Sequence, residues 1–572
     1  MLHHLIQRHV QQALTRVLPD ADPSTVQVLP CPDSRFGDYQ VNAIMALAKA
    51  RKLNPRQLAG DLIARLDVAA WCEPPVVAGA GFLNFRLKAE AIVEVLRAAA
   101  RGEHLFFLPA EQPRTIVVDF SSPNVAKAMH VGHIRSTILG DSLARTFRLL
   151  GHRVITDNHI GDWGTQFGKL IVGWKRHLDR TALDQDSLAE MERLYRLVHA
   201  ECEADAAILE QAREELLKLQ QGDPENLAIW REMIADSRHQ FDAIYDRLGV
   251  RFDHTLGESF YNPRLNSLVE ELTRLGIAEE SQGARVVFFP GVAELEKNPA
   301  IVLKSDGAAN YTTTDLATLA HRLETWQPDE IIYITDSRQQ LHFKQLFAVF
   351  RRWRPEARVT LAHVWFGSIL GEDGKPFKTR SGDVVRLSDL LTEAEERAFR
   401  VVSDKNPDLS EATRREIARA VGIGALKYAD LLPNRQGDYV FSWDRMLALN
   451  GNTAPYLQYA YTRIRSIFRK GDLGQIAAAP ALALIEPDEL RLAKQLLNFG
   501  LVLEGTAREY RPNFLCNYLY DLAGLFARFY ENCPVLKAED PARSTRLALC
   551  ELTARVLRQG LGTLGIETPE QM

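Results

Sequence analysis

The chain has 572 residues, 46% of them hydrophobic and 25% charged, which exceeds what one core ordinarily serves, so three or four packed units are expected. Its formal net charge of −5 excludes a protein that coats nucleic-acid phosphates over its whole surface, while leaving room for a local basic track. No apolar run reaches the roughly 18 to 20 residues of a membrane span, and the six cysteines, with no C-x-x-C pair and no histidine at ligand spacing, suggest reduced core residues and no zinc.

The opening segment places apolar residues at Leu2, Leu5, Ile6, Val10, Ala13, Leu14, Val17 and Leu18, a helical period and not a signal peptide, which implies a cytoplasmic protein. A strand near Val26 to Leu29, a helix over Asn42 to Lys52 and a strand GFLNFRL then complete an α/β unit over residues 1–105. Alternation puts Leu83, Phe85 and Leu87 on one face of that strand and Phe82, Asn84 and Arg86 on the other. From pattern alone the second face reads as solvated sheet surface with one stray aromatic.

After a loop at Pro109 to Pro113, IVVDF is an apolar run of the kind buried on both faces of a parallel sheet. A helix over Val131 to Leu150 and a strand RVITDNH follow. The alternation resumes with a hairpin-like pair around Asp306-Gly307, a helix over Asp315 to Leu323, the strand EIIYITD, the helix LHFKQLFAVFRRW and the strand VTLAHVWF. Strands and helices in this order spell an α/β fold, a doubly wound, Rossmann-like parallel sheet over residues 112–387, with an insertion at about 169–300 whose first part is charged and helical. From residue 388 onward only helical patterns occur, read as a connecting region over 388–448 and an all-α unit over 449–572.

The segment SSPNVAKAMHVGHIRS, residues 121–136, follows the first buried strand and opens a helix, outside the carboxyl ends of the strands where such sheets bind ligands. His130 and His133 are three residues apart and share one face of the first turn. Gly132 between them lets a flat base or a sugar approach the backbone, and the free N–H groups of a helix start suit a triphosphate. H-x-G-H alone is a weak signal; its position after a strand, with Lys127 just upstream, gives it weight.

MHVGH resembles the His-Ile-Gly-His signature of class I aminoacyl-tRNA synthetases, and with SSPN and Lys127 it is similar to the arginyl-tRNA synthetase form of that signature. The resemblance continues in the same order through GDWGTQFG (161–168), the Tyr311 to Asp315 segment, DSRQQLH (336–342), LGEDGKPFKTRSGD (370–383) and ALKYADLLPNRQGDYVFSWDRMLALNGNTAPYLQYAYTRIRSI (425–467). FGDYQVNAIMALAK near the start and ENCPVL with GIETPEQM near the end belong to it as well. It implies an arginine–tRNA ligase: activation of L-arginine with Mg-ATP to arginyl-adenylate, then transfer to the 3′ end of tRNA(Arg), by a monomer whose activation step needs bound tRNA. It further implies that His130, Gly132 and His133 bind ATP, with His130, His133 and Lys127 serving catalysis.

Arginine is a planar cation with five N–H donors, so its pocket should offer carboxylates and oriented acceptors. Asp119 at a strand end and Asp315 at a helix start supply negative charge. By resemblance Asn124 holds the amino-acid end, Tyr311 and Asp315 meet the guanidinium, Asp119 assists in recognising its charge and Gln339 completes the pocket. Tyr311 and Asp315, four residues apart, share a face if helical.

The second class I signature, Lys-Met-Ser-Lys-Ser, is altered here to FKTRS, so Lys378 and Arg380 are the cations expected to meet the departing pyrophosphate. Arg380 is a planar fork in place of an ammonium. In PYLQYAYTRIRSIFRK, Tyr456, Tyr459 and Arg463 form a stripe that fits stacking of unpaired bases and contact with phosphate, or else a core face. The segment resembles the anticodon-binding bundle named for Asp-Ala-Leu-Arg. The family's extra N-terminal domain recognises the tRNA elbow, and Phe82 and Asn84 fall where a D-loop base is expected. Two rivals remain at this stage. One is another nucleotidyl-transferring enzyme of the same phosphate-binding architecture, such as a synthetase for a different amino acid, against which the acidic pair and Asn124 speak; the other is a silent tRNA-binding relative, which should have lost His130, His133 or the loop cations, and none is lost.

Overall fold

The computed structural model describes residues 1–377, 385–471 and 482–572. Contacts divide the chain into two compact units, one of residues 1–110, 448–563 and 567–572, the other of residues 111–447 and 564–566.

The second unit is built on a parallel sheet. Its elements are β1 (Thr115–Asp119), α1 (Val131–Leu149), β2 (Arg153–Asp157), α2 (Tyr311–Trp326), β3 (Glu330–Tyr333), α3 (Gln340–Trp353) and β4 (Thr360–His363). The strands lie in the order β4-β3-β1-β2, all parallel, with Asp119 level with Tyr333 on one side and Asp157 on the other. The chain leaves β1 toward β2 and later leaves β3 toward β4, so strand order reverses between β1 and β3. That reversal opens a crevice at the carboxyl ends of these two strands. Apolar residues such as Val117, Ile331 and Ile332 are fully buried, as strands covered on both faces require. Most residues of α1 are buried all round, the mark of a central helix. It packs so close to the end of β1 that a Cβ on Gly140 would stand 2.1 Å from the Phe120 ring.

The insertion opens with helices Gln166–His177, Arg180–Gln185, Ser187–Ala204, Ala206–Gln220 and Pro224–Leu248. The charged helical stretch is cut at Asp205, whose carboxylate takes the Ala207 N–H at 2.8 Å and so caps the second piece. A three-stranded antiparallel sheet, Glu279–Ser281, Ala284–Val287 and Ala300–Leu303, closes it. The expected hairpin around Asp306-Gly307 reduces to a single bridge between Leu303 and Ala309, because the chain turns at once into α2.

Among the described residues past 388 helices dominate, as expected, with one exception. Tyr439–Val440 pairs in parallel with Ile369–Leu370, a strand too short to leave a period in the sequence.

In the first unit an antiparallel sheet runs in the order Leu29–Pro30, Tyr39–Val41, Phe82–Phe85, Val76–Ala78, beside helices that include Leu2–Val17 and Ala43–Arg51. Its helical part comprises Ala454–Lys470, Pro487–Leu497, Phe499–Glu509, Asn513–Asn532 and Ala542–Thr563. Within the described residues no helix is long and apolar enough to cross a membrane.

Candidate active site

The crevice between β1 and β3 is a cleft of about 540 Å³, and its walls include Asn124, His130, Gly132, His133 and Gln339. Five residues singled out from the sequence therefore face one space. Ser121 and Ser122 after β1, and Ile334 and Thr335 after β3, line it as well.

His130 and His133 cap α1 between them. His130 Nδ1 accepts the Gly132 N–H at 3.0 Å, and His133 Nδ1 accepts the N–H of His130 at 3.1 Å. The rings lie 4.1 Å apart, and a Cβ on Gly132 would stand 2.8 Å from Cε1 of His130, so the glycine makes room for the ring. With both Nδ1 atoms accepting, the neutral rings carry their protons on Nε2. Burial, with Arg338 and Lys127 adding to it, lowers the pKa of His130; burial and its neighbour His130 push His133 down to about 3. Both are therefore neutral donors at physiological pH.

This arrangement corrects one expectation. The first N–H groups of α1 are not free for an anion: Val131 donates to Val385 O at 3.0 Å, Gly132 to His130 Nδ1, and His133 to His130 O at 2.8 Å. The two imidazoles that line the cleft keep their Nε2–H groups outside these capping bonds. Lys127 is exposed, its ammonium 5.9 Å from the centre of the Tyr195 ring of the insertion. Arg338, unremarked in the sequence, also lines the cleft and pairs with Asp336. Lys378 and Arg380 lie outside the described residues.

The residues expected for arginine divide into two sets. Tyr311 and Asp315 share a face of α2, as their spacing predicts, and both meet His342 at the start of α3: the Tyr311 ring is 4.7 Å from the imidazole, and Asp315 Oδ2 is 2.5 Å from Nε2. Asp315 is not at the helix start, which Asn310 caps; it stands one turn in. His342 follows Gln339 by three residues, which ties this face to the cleft wall. Asn124 is bridged in parallel to Gly161, with Val125 N–H donating to Gly161 O at 3.0 Å.

Asp119 behaves differently from the open carboxylate expected. It is 6% exposed, does not line the cleft, and its Oδ2 accepts from the buried Arg322 guanidinium at 2.6 Å, which also reaches Asp157 at 2.8 Å. Its charge is spent inside the sheet. Burial pushes its carboxyl upward and Arg322 opposes that shift.

A carboxylate the sequence reading missed is strongly perturbed by its surroundings. Burial pushes Glu258 up to about 7, with Asp315 and Asp162 adding to the shift and His159 opposing it. Asp162 is itself raised by burial while accepting Ser259 N–H at 2.8 Å and its hydroxyl at 2.7 Å. Glu258 thus carries the field of two other carboxylates, Asp315 and Asp162, with His159 acting against them. Glu258 sits on a single-turn helix inside the insertion, where no periodicity or motif marks it.

In the first unit, Tyr456 is half-buried and Tyr459 and Arg463 exposed on helix Ala454–Lys470, so the stripe faces solvent and not a core. Tyr456 lies 5.6 Å from the Tyr520 ring, and the Arg463 guanidinium sits 5.0 Å over Tyr530. Phe82 is partly exposed, whereas Asn84 is 3% exposed and takes a hydrogen bond from Cys31 at 3.7 Å, so that sheet face is not simply solvated.

Comparison with known proteins accords with this geometry. Residues 97–443 match the family described as tRNA synthetases class I (R), catalytic domain; residues 4–87 match the arginyl tRNA synthetase N terminal domain, and 457–572 the DALR anticodon binding domain. The arginine–tRNA ligase of Salmonella dublin is 47% identical over 578 residues, covering 99% of each chain, and that of Chromobacterium violaceum 46% identical, covering 100% of each. The crystal structure of arginyl-tRNA synthetase from Plasmodium falciparum matches with a TM-score of 0.84 at 29% identity over 100% of this chain and 99% of that one. The Thermus thermophilus arginyl-tRNA synthetase matches at 0.85 and 28% identity over 100% of both. With end-to-end identity of that order and the capped histidine pair set at the sheet's switch point, the chain belongs to the class I arginyl-tRNA synthetase family.

Proposed function

We propose that the chain ligates L-arginine to tRNA(Arg) at the expense of ATP, through the cleft between β1 and β3. The observation that carries this reading is the pair of neutral imidazoles, His130 and His133, on one wall of the cleft that Asn124 and Gln339 also line, with Tyr311, Asp315 and Glu258 grouped beyond it. Mg-ATP enters as substrate. Arginine's carboxylate attacks the α-phosphorus, the bond to the pyrophosphate oxygen breaks, and arginyl-adenylate forms; the terminal ribose hydroxyl of tRNA then attacks the arginyl carbonyl and AMP leaves. The Nε2–H groups of His130 and His133 donate to phosphate oxygens as charge redistributes in the first step, and one such donor is ordinarily worth about 10² to 10³ in rate. Lys127, Lys378 and Arg380 supply the remaining positive charge.

Asn124 holds the amino-acid end of the substrate and Gln339 the wall beside it. Tyr311 covers the guanidinium, which Asp315 and Glu258 pair with. Asp119 acts through Arg322 and Asp157, fixing the carboxyl ends of the strands, and contributes field more than contact. A pocket with several fixed acceptors rejects analogues lacking the matching donors by about 10⁴ to 10⁵.

tRNA recognition is assigned to the first unit: Phe82 toward the elbow, with Asn84, too buried to meet a base itself, donating to Phe82 O at 3.3 Å and so positioning it, and Tyr456, Tyr459 and Arg463 toward splayed anticodon-loop bases. Residues 1–105, 112–387, 388–448 and 449–572 then correspond to elbow recognition, catalysis, contact with the acceptor stem side and anticodon binding. The protein works as a cytoplasmic monomer, and activation waits for bound tRNA. ATP–pyrophosphate exchange with each amino acid, with and without a tRNA pool, tests the whole reading: exchange should require arginine and tRNA together, and exchange driven by another amino acid overturns it.

A further inference from the structure

Away from the cleft, three side chains of metal-ligating type converge in the first unit. His3 and His4 open helix Leu2–Val17, and the Nε2 atoms of both lie against one oxygen of Glu504, at 3.3 and 2.8 Å. Glu504 belongs to helix Phe499–Glu509, 501 residues along the chain from His3. The three donor atoms lie within 4.8 Å of one another.

Successive residues on a helix diverge by about 100°, since 3.6 residues make a turn. The two rings nonetheless turn inward to bring their nitrogens to one point, with centroids 4.1 Å apart and planes at 61°. His3 is 2% exposed and meets the Tyr39 ring edge-on at 6.4 Å, which fixes it. The side chains of His4 and Glu504 are each 32% exposed, so the cluster has a dry wall and a side open to solvent.

We propose that His3, His4 and Glu504 bind a zinc ion that fastens the first helix of the chain to the C-terminal helical bundle. Two imidazole nitrogens and one carboxylate oxygen are a donor set zinc accepts, with water completing a tetrahedron. Bonds of about 2.0 to 2.2 Å set tetrahedral donors roughly 3.4 Å apart, so the His–Glu separations need to change by only about half an ångström. A carboxylate accepts only, so each Nε2–H now donates to Glu504; on binding, each ring carries its proton at Nδ1 and offers the Nε2 lone pair, and no net proton is lost. A link between residues so distant in sequence restrains the unfolded chain most, so zinc binding becomes folding stability for this unit.

The test uses the full-length chain without a histidine tag, stripped with chelator and titrated with Zn²⁺ against a chromophoric competitor, with Co²⁺ as a spectroscopic substitute. One Zn²⁺ per chain is expected, together with the strong visible absorption of tetrahedral Co²⁺. Glu504→Gln and His4→Gln should each weaken binding by at least about 10- to 100-fold, the loss seen when even an outer partner of a ligand is removed. Zinc should raise the thermal midpoint of the wild-type protein and not of the variants. Failure of the wild-type chain to hold one equivalent, or unchanged affinity in the two variants, overturns the proposal and leaves a hydrogen-bonded triad; the wild-type stoichiometry decides even if a variant fails to fold.

Discussion

A Cβ placed on Gly161 would stand 2.2 Å from Oδ1 of Asn124. The two residues are bridged in parallel, so the absent side chain at 161 is what lets Asn124 lie against the backbone and face the cleft. Gly161→Ala should therefore displace the Asn124 amide. Misplacing a positioning group by about 1 Å costs on the order of 10² in rate. The expected outcome is a fall of that size in kcat/KM for arginine in pyrophosphate exchange with little change in the KM for ATP; equal changes in both would dissociate Asn124 from the amino-acid end.

His130 does two things at once, capping α1 and donating from Nε2. His130→Asn keeps a good cap and removes the ring, so the adenylate-forming rate should drop by about 10² to 10³ while thermal stability stays near wild type. His130→Ala should lose a similar rate and also about 1 kcal/mol of stability from the missing cap. Rapid-quench measurement of adenylate together with thermal melts separates the two effects. An active asparagine variant would remove His130 from the chemistry.

Glu258 carries a carboxyl raised to about 7, above its ordinary 4.5. The guanidinium of arginine is always charged and pairs only with the ionised form, so arginine binding should weaken as pH falls from 8 to 6, and binding near pH 7 should release a proton. Calorimetry in buffers of different ionisation enthalpy measures that release. The stability linkage has the opposite sense: because the folded pKa is raised, Glu258 favours the folded state at pH below 4.5 and loses that contribution as pH rises through 7. Glu258→Gln should thus melt higher than wild type at pH 8, show no such gain at pH 4, and bind arginine at least about 10²-fold more weakly, the scale of removing one partner from a buried ion pair.

Asp315 and Asp119 should separate cleanly. Asp315→Asn should raise the arginine requirement far more than the ATP requirement, since it weakens the cation's pocket and spares the triphosphate's. Asp119→Asn leaves Arg322 to Asp157 alone, so its loss should read first in unfolding experiments. Arg322→Met goes further, stranding two buried carboxylates at a cost of about 3 to 5 kcal/mol. If Asp119→Asn instead raised the arginine KM as much as Asp315→Asn at unchanged stability, Asp119 would be a contact residue.

Tyr459, 45% exposed on helix Ala454–Lys470, should lose about 1 to 3 kcal/mol of tRNA affinity on change to alanine if a base stacks on it. Filter binding of tRNA(Arg) measures this directly and is independent of activation. Wild-type affinity in Tyr459→Ala would move the anticodon contact to another face of the bundle.

The alternation of strand and helix was legible because burial on both faces leaves apolar runs such as IVVDF, and the helix after β1 was legible because the segment SSPNVAKAMHVGHIRS directly follows that run. Tyr311 and Asp315 were rightly placed on one face by their spacing of four. The helix carrying them starts at Tyr311 and not at Asp315, because Asn310, and no residue nearer Asp315, supplies the cap. The strand Tyr439–Val440 left no trace, since two residues contain one period at most.

By itself the sequence determined the order of the elements, the class of the fold and the family, since periodicity and ordered motifs are local properties of the chain. Only the tertiary structure decided where charge is available. Asp119 is an acidic residue at a strand end in either view, yet its carboxylate belongs to Arg322, 203 residues away. Glu258 is an unmarked residue of an insertion, yet burial near Asp162 and Asp315 makes its proton titrate near neutrality. The Coulomb energy and desolvation of a group depend on what surrounds it in space, and a chain folded on itself sets those surroundings with residues that sequence spacing does not relate.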